Sequence, residues 1–310
     1  TIHRITPFRI RLRLLANLFG KRPFQVAYFY DKRIQRKVRE QVSGLKPDHI
    51  YCQLVRTSEY VKRFYTIPKT IDYMDALGTG MQRMQQSASF WRKPIYGWEY
   101  KRLSEYESVI YDYFDHHVII SEQDRKLIRH PKNDMITVIP NGVDTAYFQP
   151  SKSPSRVLLT FVGNLGYEPN INSVQYIADK LLPALRKVLP NATVEVSGAS
   201  PSPVVLALAN EHLTINGWVE DIRDAYNAGQ FMIAPMRINT GLQNKILEAM
   251  SMEKLVFTSE LANNAIGATH KEHLIVCKET KEYVDQIQWA VEHPEEAAVI
   301  ARRGREWVEK

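Results

Sequence analysis

One stretch, FMIAPMRINTGLQNKILEAMSMEKLVFTS (residues 231–259), constrains the fold more than any other. Residues 231–234 form a short apolar run closed by Pro235, and residues 255–259 form a second one. Between them Leu242, Ile246, Leu247, Ala249 and Met250 recur at helical spacing, so one helix face is apolar. A strand, a helix and a strand in such close succession make a βαβ unit, which requires a parallel sheet with a crossover helix packed on it. Thr240 or Asn239 is placed to cap the helix. The first turn then aims free backbone N–H groups and a positive dipole end at whatever lies above the strand ends. Gly241 admits close approach of a ligand to the backbone, and Leu242 follows it directly. Gln243, Asn244 and Lys245 add donors, and Glu248, further along, can accept hydrogen bonds from a diol such as a ribose. Diphosphate at a helix start and ribose at a carboxylate is the chemistry of a nucleotide site. An ordinary βαβ unit with a well-capped helix satisfies the same pattern.

The rest of the chain repeats the alternation. Short apolar runs at DHIYCQL, KTID, DHHVII, MITVI, VLLTFV, TVEVS, LTIN and HLIVC are separated by helical patterns, which gives an α/β fold with parallel sheets. A basic helix is predicted from Asp31 to Val42, ended by Ser43-Gly44, and an aromatic-rich helix from Phe90 to Phe114 that covers the core and lines the interdomain cleft. Ser121, with Asp124 three positions on, is predicted to cap a helix. The helix that follows VLLTFVGNLGYEP is predicted to be capped near Asn170. A turn is predicted at Asn141-Gly142. At 310 residues the chain is long enough for two domains of about 150 residues each. The polar, Pro/Ser-rich QPSKSPS sets their boundary, giving 1–150 and 151–310.

Charge is uneven. Residues through Pro150 carry 25 Lys and Arg against 15 Asp and Glu, while the remainder carries 16 against 19. Within the first 70 residues the balance is 16 against 4. Such asymmetry fits an anionic partner, whether lipid, phosphorylated carrier or nucleic acid, and fits equally a solvated basic surface. No nucleic-acid motif accompanies the charge, so nucleic acid is not expected. Phe8 to Phe19 mixes Arg9, Arg11 and Arg13 with Ile10, Leu12, Leu14, Leu15 and Leu18. It reads either as a basic amphipathic element on a membrane surface or as a packed helix with solvated arginines. No run of about 18 apolar residues spans a bilayer. Cys52 and Cys277 lie in separate apolar runs and read as reduced, buried thiols of a cytoplasmic protein. His116 and His117 are adjacent on a strand and point to opposite faces, so no metal site is expected there. Gly163, Asn164 and Gly166 form a loop that can admit phosphate. Asp72 and Asp75 lie at a strand's C-terminal end, where ligands bind in open α/β sheets, and either can simply cap the following turn.

GLQNKILEAMSMEKLVFTS resembles the donor-binding segment of GT-B glycosyltransferases of retaining family four (glycosyl transferases group 1). It is most similar to the sugar transferases of bacterial exopolysaccharide and exosortase systems, whose version contains G-[VIL]-Q-N-K-x-L-E-A-M. The loop G-N-x-x-Y-x-P-N, residues 163–170 here, resembles the same subfamily. Thr240 stands where the wider family has the first of two glutamates eight positions apart, and Glu248 is the second. The resemblance implies two Rossmann-like domains whose parallel sheets face each other across a cleft, the first domain lacking its initial strand and loop. It implies metal-independent transfer of a sugar, with retention, from a UDP- or GDP-type nucleotide sugar to a lipid-linked or polysaccharide acceptor. No further cofactor is implied. It places the protein in the cytoplasm, at the inner face of the membrane. By the same resemblance Gly163, Asn164, Gly198, Val219, Thr240, Gly241, Leu242, Gln243, Lys245 and Glu248 hold the donor. Lys245 supplies the positive charge that other members draw from an Arg and a Lys in the Gly loop. Asp75, with Asp72 beside it, becomes the acceptor-side base or orienting carboxylate. A nucleotide-sugar epimerase, a phosphorylase or a non-catalytic binding subunit on the same fold also fits these residues.

Overall fold

The computed structural model describes residues 5–18, 20, 22–151, 155–238 and 242–310. Packing divides the chain into two compact units, Thr1–Pro140 and Asn141–Lys310.

The first unit opens with helices α1 (Pro7–Ala16), α2 (Phe24–Phe29) and α3 (Lys32–Leu45). Strands β1 (Ile50–Gln53), β2 (Lys69–Asp72), β3 (His116–Ile119) and β4 (Thr137–Val138) follow. Among the described residues they form a four-stranded parallel sheet in that order. Helices α4 (Leu77–Ser87) and α5 (Lys93–Tyr111) lead from β2 to β3, and the short α6 (Glu122–Arg125) leads on to β4. Val55, Ile71, Tyr73, Ile110, Ile119 and Ile136 form the heart of this core. The predicted cap at α6 is present: Asp124 N donates to Ser121 Oγ at 3.1 Å while Ser121 Oγ donates to Asp124 Oδ2 at 2.6 Å. Helix α3 begins at its Asp31 cap as expected but runs through Ser43-Gly44, ending where Lys46 turns left-handed at φ 44°. The aromatic helix starts only at Lys93, with Pro94 in its first turn, so Phe90 and Trp91 precede it and are exposed rather than covering the core. His117 stacks on Tyr111 at 3.7 Å, and its Nε2 lies 2.9 Å from the Tyr111 carbonyl.

The second unit contains β5 (Val157–Val162), α7 (Glu168–Tyr176) and a π-helical turn (Ile177–Leu181) that runs into α8 (Leu182–Leu185). Then come β6 (Val194–Ser197), α9 (Pro203–Leu206), β7 (Leu213–Gly217), α10 (Ile222–Ala228) and β8 (Gly229–Ala234). The chain continues with α11 (Asn244–Ser251), β9 (Val256–Ser259), α12 (Glu260–Ile266), β10 (Ile275–Cys277), α13 (Thr280–Glu292) and α14 (Pro294–Val308). Among the described residues the strands form a six-stranded parallel sheet in the order β10-β9-β8-β5-β6-β7. The π turn lies just ahead of Pro183, whose missing N–H interrupts the regular helical ladder.

The division between units falls at Pro140/Asn141, ahead of the Pro/Ser-rich segment. Residues 143–148 belong physically to the second core: Val143 and Phe148 pack against it, and Ser251 Oγ donates to the Phe148 carbonyl at 2.7 Å. The turn predicted at Asn141-Gly142 forms instead at Asp144, whose carbonyl accepts from Tyr147 N (3.1 Å) and Phe148 N (2.8 Å). Asp144 Oδ1 also accepts from Ala146 N and Tyr147 N, so the aspartate supplies the side-chain bonds that fix the turn.

Candidate functional site

The strand order locates the site. From β5 the chain moves outward through β6 and β7 on one side, then returns to place β8, β9 and β10 on the other. The crevice at the C-terminal ends of β5 and β8 is therefore the topological switch point of the sheet, where open α/β folds bind ligands. Two loops flank it: residues 163–167 after β5 and the chain between β8 and α11.

The first loop is held by its own asparagine. Asn164 Oδ1 accepts from Gly166 N at 2.9 Å, and Asn164 O accepts from Tyr167 N at 3.2 Å and from Asn170 Nδ2 at 2.8 Å. The helix start lies near Asn170, as expected, but Asn170 is not itself the cap. The cap position belongs to Tyr167, which makes no side-chain cap bond, and Asn170 is buried within the first turn of α7. Its Oδ1 accepts from Lys245 Nζ at 2.5 Å. The first turns of α7 and α11 are thus tied together directly above the switch point. A methyl group on Gly163 would lie 2.8 Å from Asn170 Nδ2 and 3.0 Å from Lys245 Nζ, so both donors rest against bare backbone.

Lys245 is in unusual company for a cation. Its ammonium lies 4.4 Å from the centre of the Phe161 ring and 3.7 Å from Met236 Sδ. Burial holds its pKa down at about 7, against the upward pull of Glu248. One turn on, Glu248 is half-buried and accepts a short hydrogen bond from the hydroxyl of Tyr226, a fully buried side chain of α10. Burial pushes the Glu248 carboxyl up, while Tyr226 and Lys245 pull it back. A buried ammonium supported by a neutral amide, a thioether and a ring is well placed to accept an anion.

Glycine backbone forms the other wall. Gly198, at φ +153°, follows β6 and donates its N–H to the Gly217 carbonyl at 2.6 Å. A Cβ at position 198 would lie 1.7 Å from the Gly163 carbonyl oxygen, so only glycine fits there. Gly217, at φ +70°, turns the chain toward Val219, which packs partly against the core. Trp218 does not pack; it is 70% exposed.

Helix α11 differs from expectation at its start. It begins at Asn244 with Gln243 at the cap position and no side-chain cap bond among the described residues. Leu242 lies ahead of the helix and packs partly on the core. Asn244 Oδ1 accepts from Asn141 Nδ2 at 3.1 Å. Asn239, Thr240 and Gly241 lie outside the described residues.

In the first unit, Asp72 and Asp75 occupy the end of β2 and its loop but differ in state. Asp72 is buried and fully engaged, accepting from Tyr51 OH at 2.7 Å and from Met74 N at 2.9 Å. That is the turn-capping arrangement. Asp75 follows Met74, which sits at φ +61°, a conformation costing about 1–3 kcal/mol in a non-glycine residue and concentrated at functional sites. Burial, with Asp124 next, pushes the Asp75 carboxyl up to about 7, opposed by Arg56. Two buried carboxylates brace this loop. Glu107 accepts from Gly78 N at 3.2 and 3.3 Å, and Asp124 Oδ1 from Ala76 N at 3.5 Å. Sequence reasoning missed Glu107, Met236, Phe161 and Tyr226. Asn170 carried a signal, since it is the last residue of the quoted G-N-x-x-Y-x-P-N loop.

Residues 156–293 match the family model described as Glycosyl transferases group 1. Solved structures match over nearly the whole chain. Sucrose-phosphate synthase from Thermosynechococcus elongatus is 14% identical with a TM-score of 0.71, covering 89% of this chain and 72% of its own. HepE from Anabaena, in a complex with UDP, is 15% identical with a TM-score of 0.67, covering 89% and 77%. A glycosyltransferase from Rickettsia africae ESF-5 is 15% identical with a TM-score of 0.64, covering 100% and 78%. The fold is GT-B. A comparison with curated proteins returns no match. At these identities the structures establish architecture, and the group 1 match lies on the unit that carries Lys245 and Glu248.

Proposed function

We propose that this chain is a glycosyltransferase that moves a sugar from a nucleotide-diphosphate sugar of UDP or GDP type to a glycan or lipid-linked acceptor, with retention and without a required metal. The observation that carries this reading is the meeting of the Lys245 ammonium and the Asn170 amide on the Gly163 backbone, at the switch point of a sheet that matches the group 1 model. The diphosphate lies across Gly163, Asn164 and the first turn of α11. There Lys245 and oriented N–H groups neutralise the charge that develops on the leaving group. Glu248 exchanges its bond from Tyr226 for the ribose hydroxyls. Gly198 lies beneath the nucleotide, and the backbone at Val219 reads the base. Asp75 serves the acceptor side as base or orienting carboxylate. The HepE complex with UDP supports the donor class by analogy. Among the described residues no helix is long and apolar enough to cross a membrane. The basic first unit suits a peripheral role at the cytoplasmic membrane face.

Thermal unfolding with UDP, GDP, ADP and dTDP, in chelator and then with Mg²⁺, tests the reading. A diphosphate at about 100 times its dissociation constant stabilises the fold by about 2.7 kcal/mol. One diphosphate is expected to do so in chelator, and Glu248→Ala to weaken it by about 1–3 kcal/mol. Absence of any shift, or one that appears only with Mg²⁺, overturns the proposal.

A further inference from the structure

The first unit holds a cavity of about 460 Å³ between α1, α2 and the start of α3, inside the range of about 300–1,000 Å³ usual for small-molecule sites. Five cations line it: Arg9, Arg13, Arg22, Lys32 and Arg33. Two carboxylates answer them. Glu59 pairs with Arg22 at 2.8 Å, and Asp31 lies 3.8 Å from Arg13. Asp31 is already committed, since its Oδ1 accepts from Arg33 N to cap α3. Three positive charges remain in excess.

Arg13 is the most telling of the five. On an amphipathic surface helix the arginines are expected to face water. Here Phe8, Leu12 and Leu15 are exposed, while the side chain of Arg13 turns inward and its Nε donates to the Arg9 carbonyl at 3.1 Å. Its two terminal nitrogens are buried and have no hydrogen-bond acceptor among the described residues. A guanidinium withdrawn from water without acceptors is unfavourable unless another group supplies them. Arg22 does not need that partner, being paired with Glu59 and placed 4.5 Å over the Tyr30 ring. The rest of the lining is Tyr30, Asn17, whose Nδ2 donates to the Arg22 carbonyl at 2.6 Å, and an aliphatic wall of Leu12, Ala16 and Ala27.

We propose that this cavity binds an organic phosphate carrying an apolar group. Phosphate presents several acceptors and up to two charges to cations that converge from separate elements, and it meets the Arg13 fork in bidentate fashion. The apolar group covers the aliphatic wall, which a bare anion leaves in contact with water. The site lies wholly within the first unit and does not rest on the donor-site reading.

The test titrates the full chain calorimetrically with octyl phosphate and with octyl glucoside at low ionic strength. Octyl phosphate is expected to bind saturably at one site, more weakly as salt rises, and octyl glucoside not to bind. The double variant R9Q/K32Q, at side chains that make no ion pair among the described residues, is expected to weaken octyl phosphate at least tenfold. Ala16→Phe, which crowds the apolar wall, is expected to weaken it as well, and Lys245→Met to leave it unchanged. Circular dichroism confirms that each variant is folded. Phosphatidylcholine vesicles with and without phosphatidylglycerol identify the source. Binding to the anionic vesicles that octyl phosphate competes away and R9Q/K32Q abolishes supports a bilayer lipid; octyl phosphate binding without vesicle binding supports a soluble organic phosphate. Octyl phosphate binding no tighter than octyl glucoside, indifferent to R9Q/K32Q, or lost in Lys245→Met overturns the proposal.

Discussion

Lys245 allows a quantitative prediction, because its surroundings stabilise the neutral amine over the cation. Its pKa is near 7 in the folded chain, against 10.5 for a lysine in water. At roughly 1.4 kcal/mol for each tenfold change in proton affinity, the ceiling on this penalty is about 5 kcal/mol at pH below 7. Local relaxation brings the expected effect of removing the charge to about 1–3 kcal/mol. Lys245→Met keeps the length of the side chain and its contact with Phe161 while deleting the ammonium. The variant is therefore expected to be more stable than the parent at pH 6–7 in the absence of ligand. The sign follows from linkage: between pH 7 and 10.5 the unfolded chain holds the Lys245 proton and the folded chain has released it. Parent stability consequently gains up to about 1.4 kcal/mol per pH step across that window relative to the variant. Urea unfolding of both proteins at pH 6, 7, 8 and 9 measures the difference directly. The same titration with nucleotide diphosphate present is expected to reverse the order, since a bound phosphate stabilises the charged amine in the parent alone. A variant that is less stable than the parent at pH 7 without ligand, or a stability difference that does not change with pH, refutes the reasoning.

Two further predictions concern Asp75 and Gly198. Asp75→Asn is expected to lower turnover by about 10²–10⁴-fold with nucleotide affinity unchanged. In the parent, turnover is expected to rise through pH 7 as Asp75 ionises. Because its folded pKa lies above the unfolded value, the parent loses stability between about pH 4 and 7, a loss that the Asn variant lacks. Rate and urea midpoint measured against pH check both, and a parent rate that falls over pH 6–8 counts against Asp75 as a base. Gly198→Ala drives a methyl group into the Gly163 carbonyl and is expected to cost roughly 3 kcal/mol or more and to abolish nucleotide-induced stabilisation. Gly142→Ala meets nothing within 4 Å and serves as the control, leaving both properties intact in the same melting assay.

The strands and the βαβ unit at residues 231–259 were legible because apolar runs of four to six residues bounded by Pro and Gly leave few alternatives. The Ser121 cap was legible because its partner, Asp124, is three residues away. What escaped was set by distant partners. Residues 77–87 contain two glycines and carry no helix signal of their own, yet they form α4, whose Gly78 N–H donates to Glu107 of α5 and whose Gly78 sits against Ser104. Asn170 marked only the neighbourhood of a cap, because its tie to Lys245 joins residues 75 positions apart. Nothing in the neighbours of Trp218 signalled that it is exposed beyond the left-handed Gly217. Tyr226 carried no local mark of its bond to Glu248, which depends on how α10 and α11 lie on the sheet.

The contact of Gly163, Gly198 and Gly217 through backbone alone bears on how this unit tolerates change. These three residues meet through chain path, with Asn170 and Lys245 resting on Gly163, and mutation at them alters shape without offering new chemistry. Diversity is instead available at neighbours whose side chains leave that path undisturbed, chiefly the exposed Trp218 and Asn244. If the proposed donor site is right, a mutational library aimed at a new base or sugar preference is best built by holding the glycines constant and randomising those flanks. Selection for altered specificity is then expected to enrich substitutions at 218 and 244 while all three glycines persist in every functional variant.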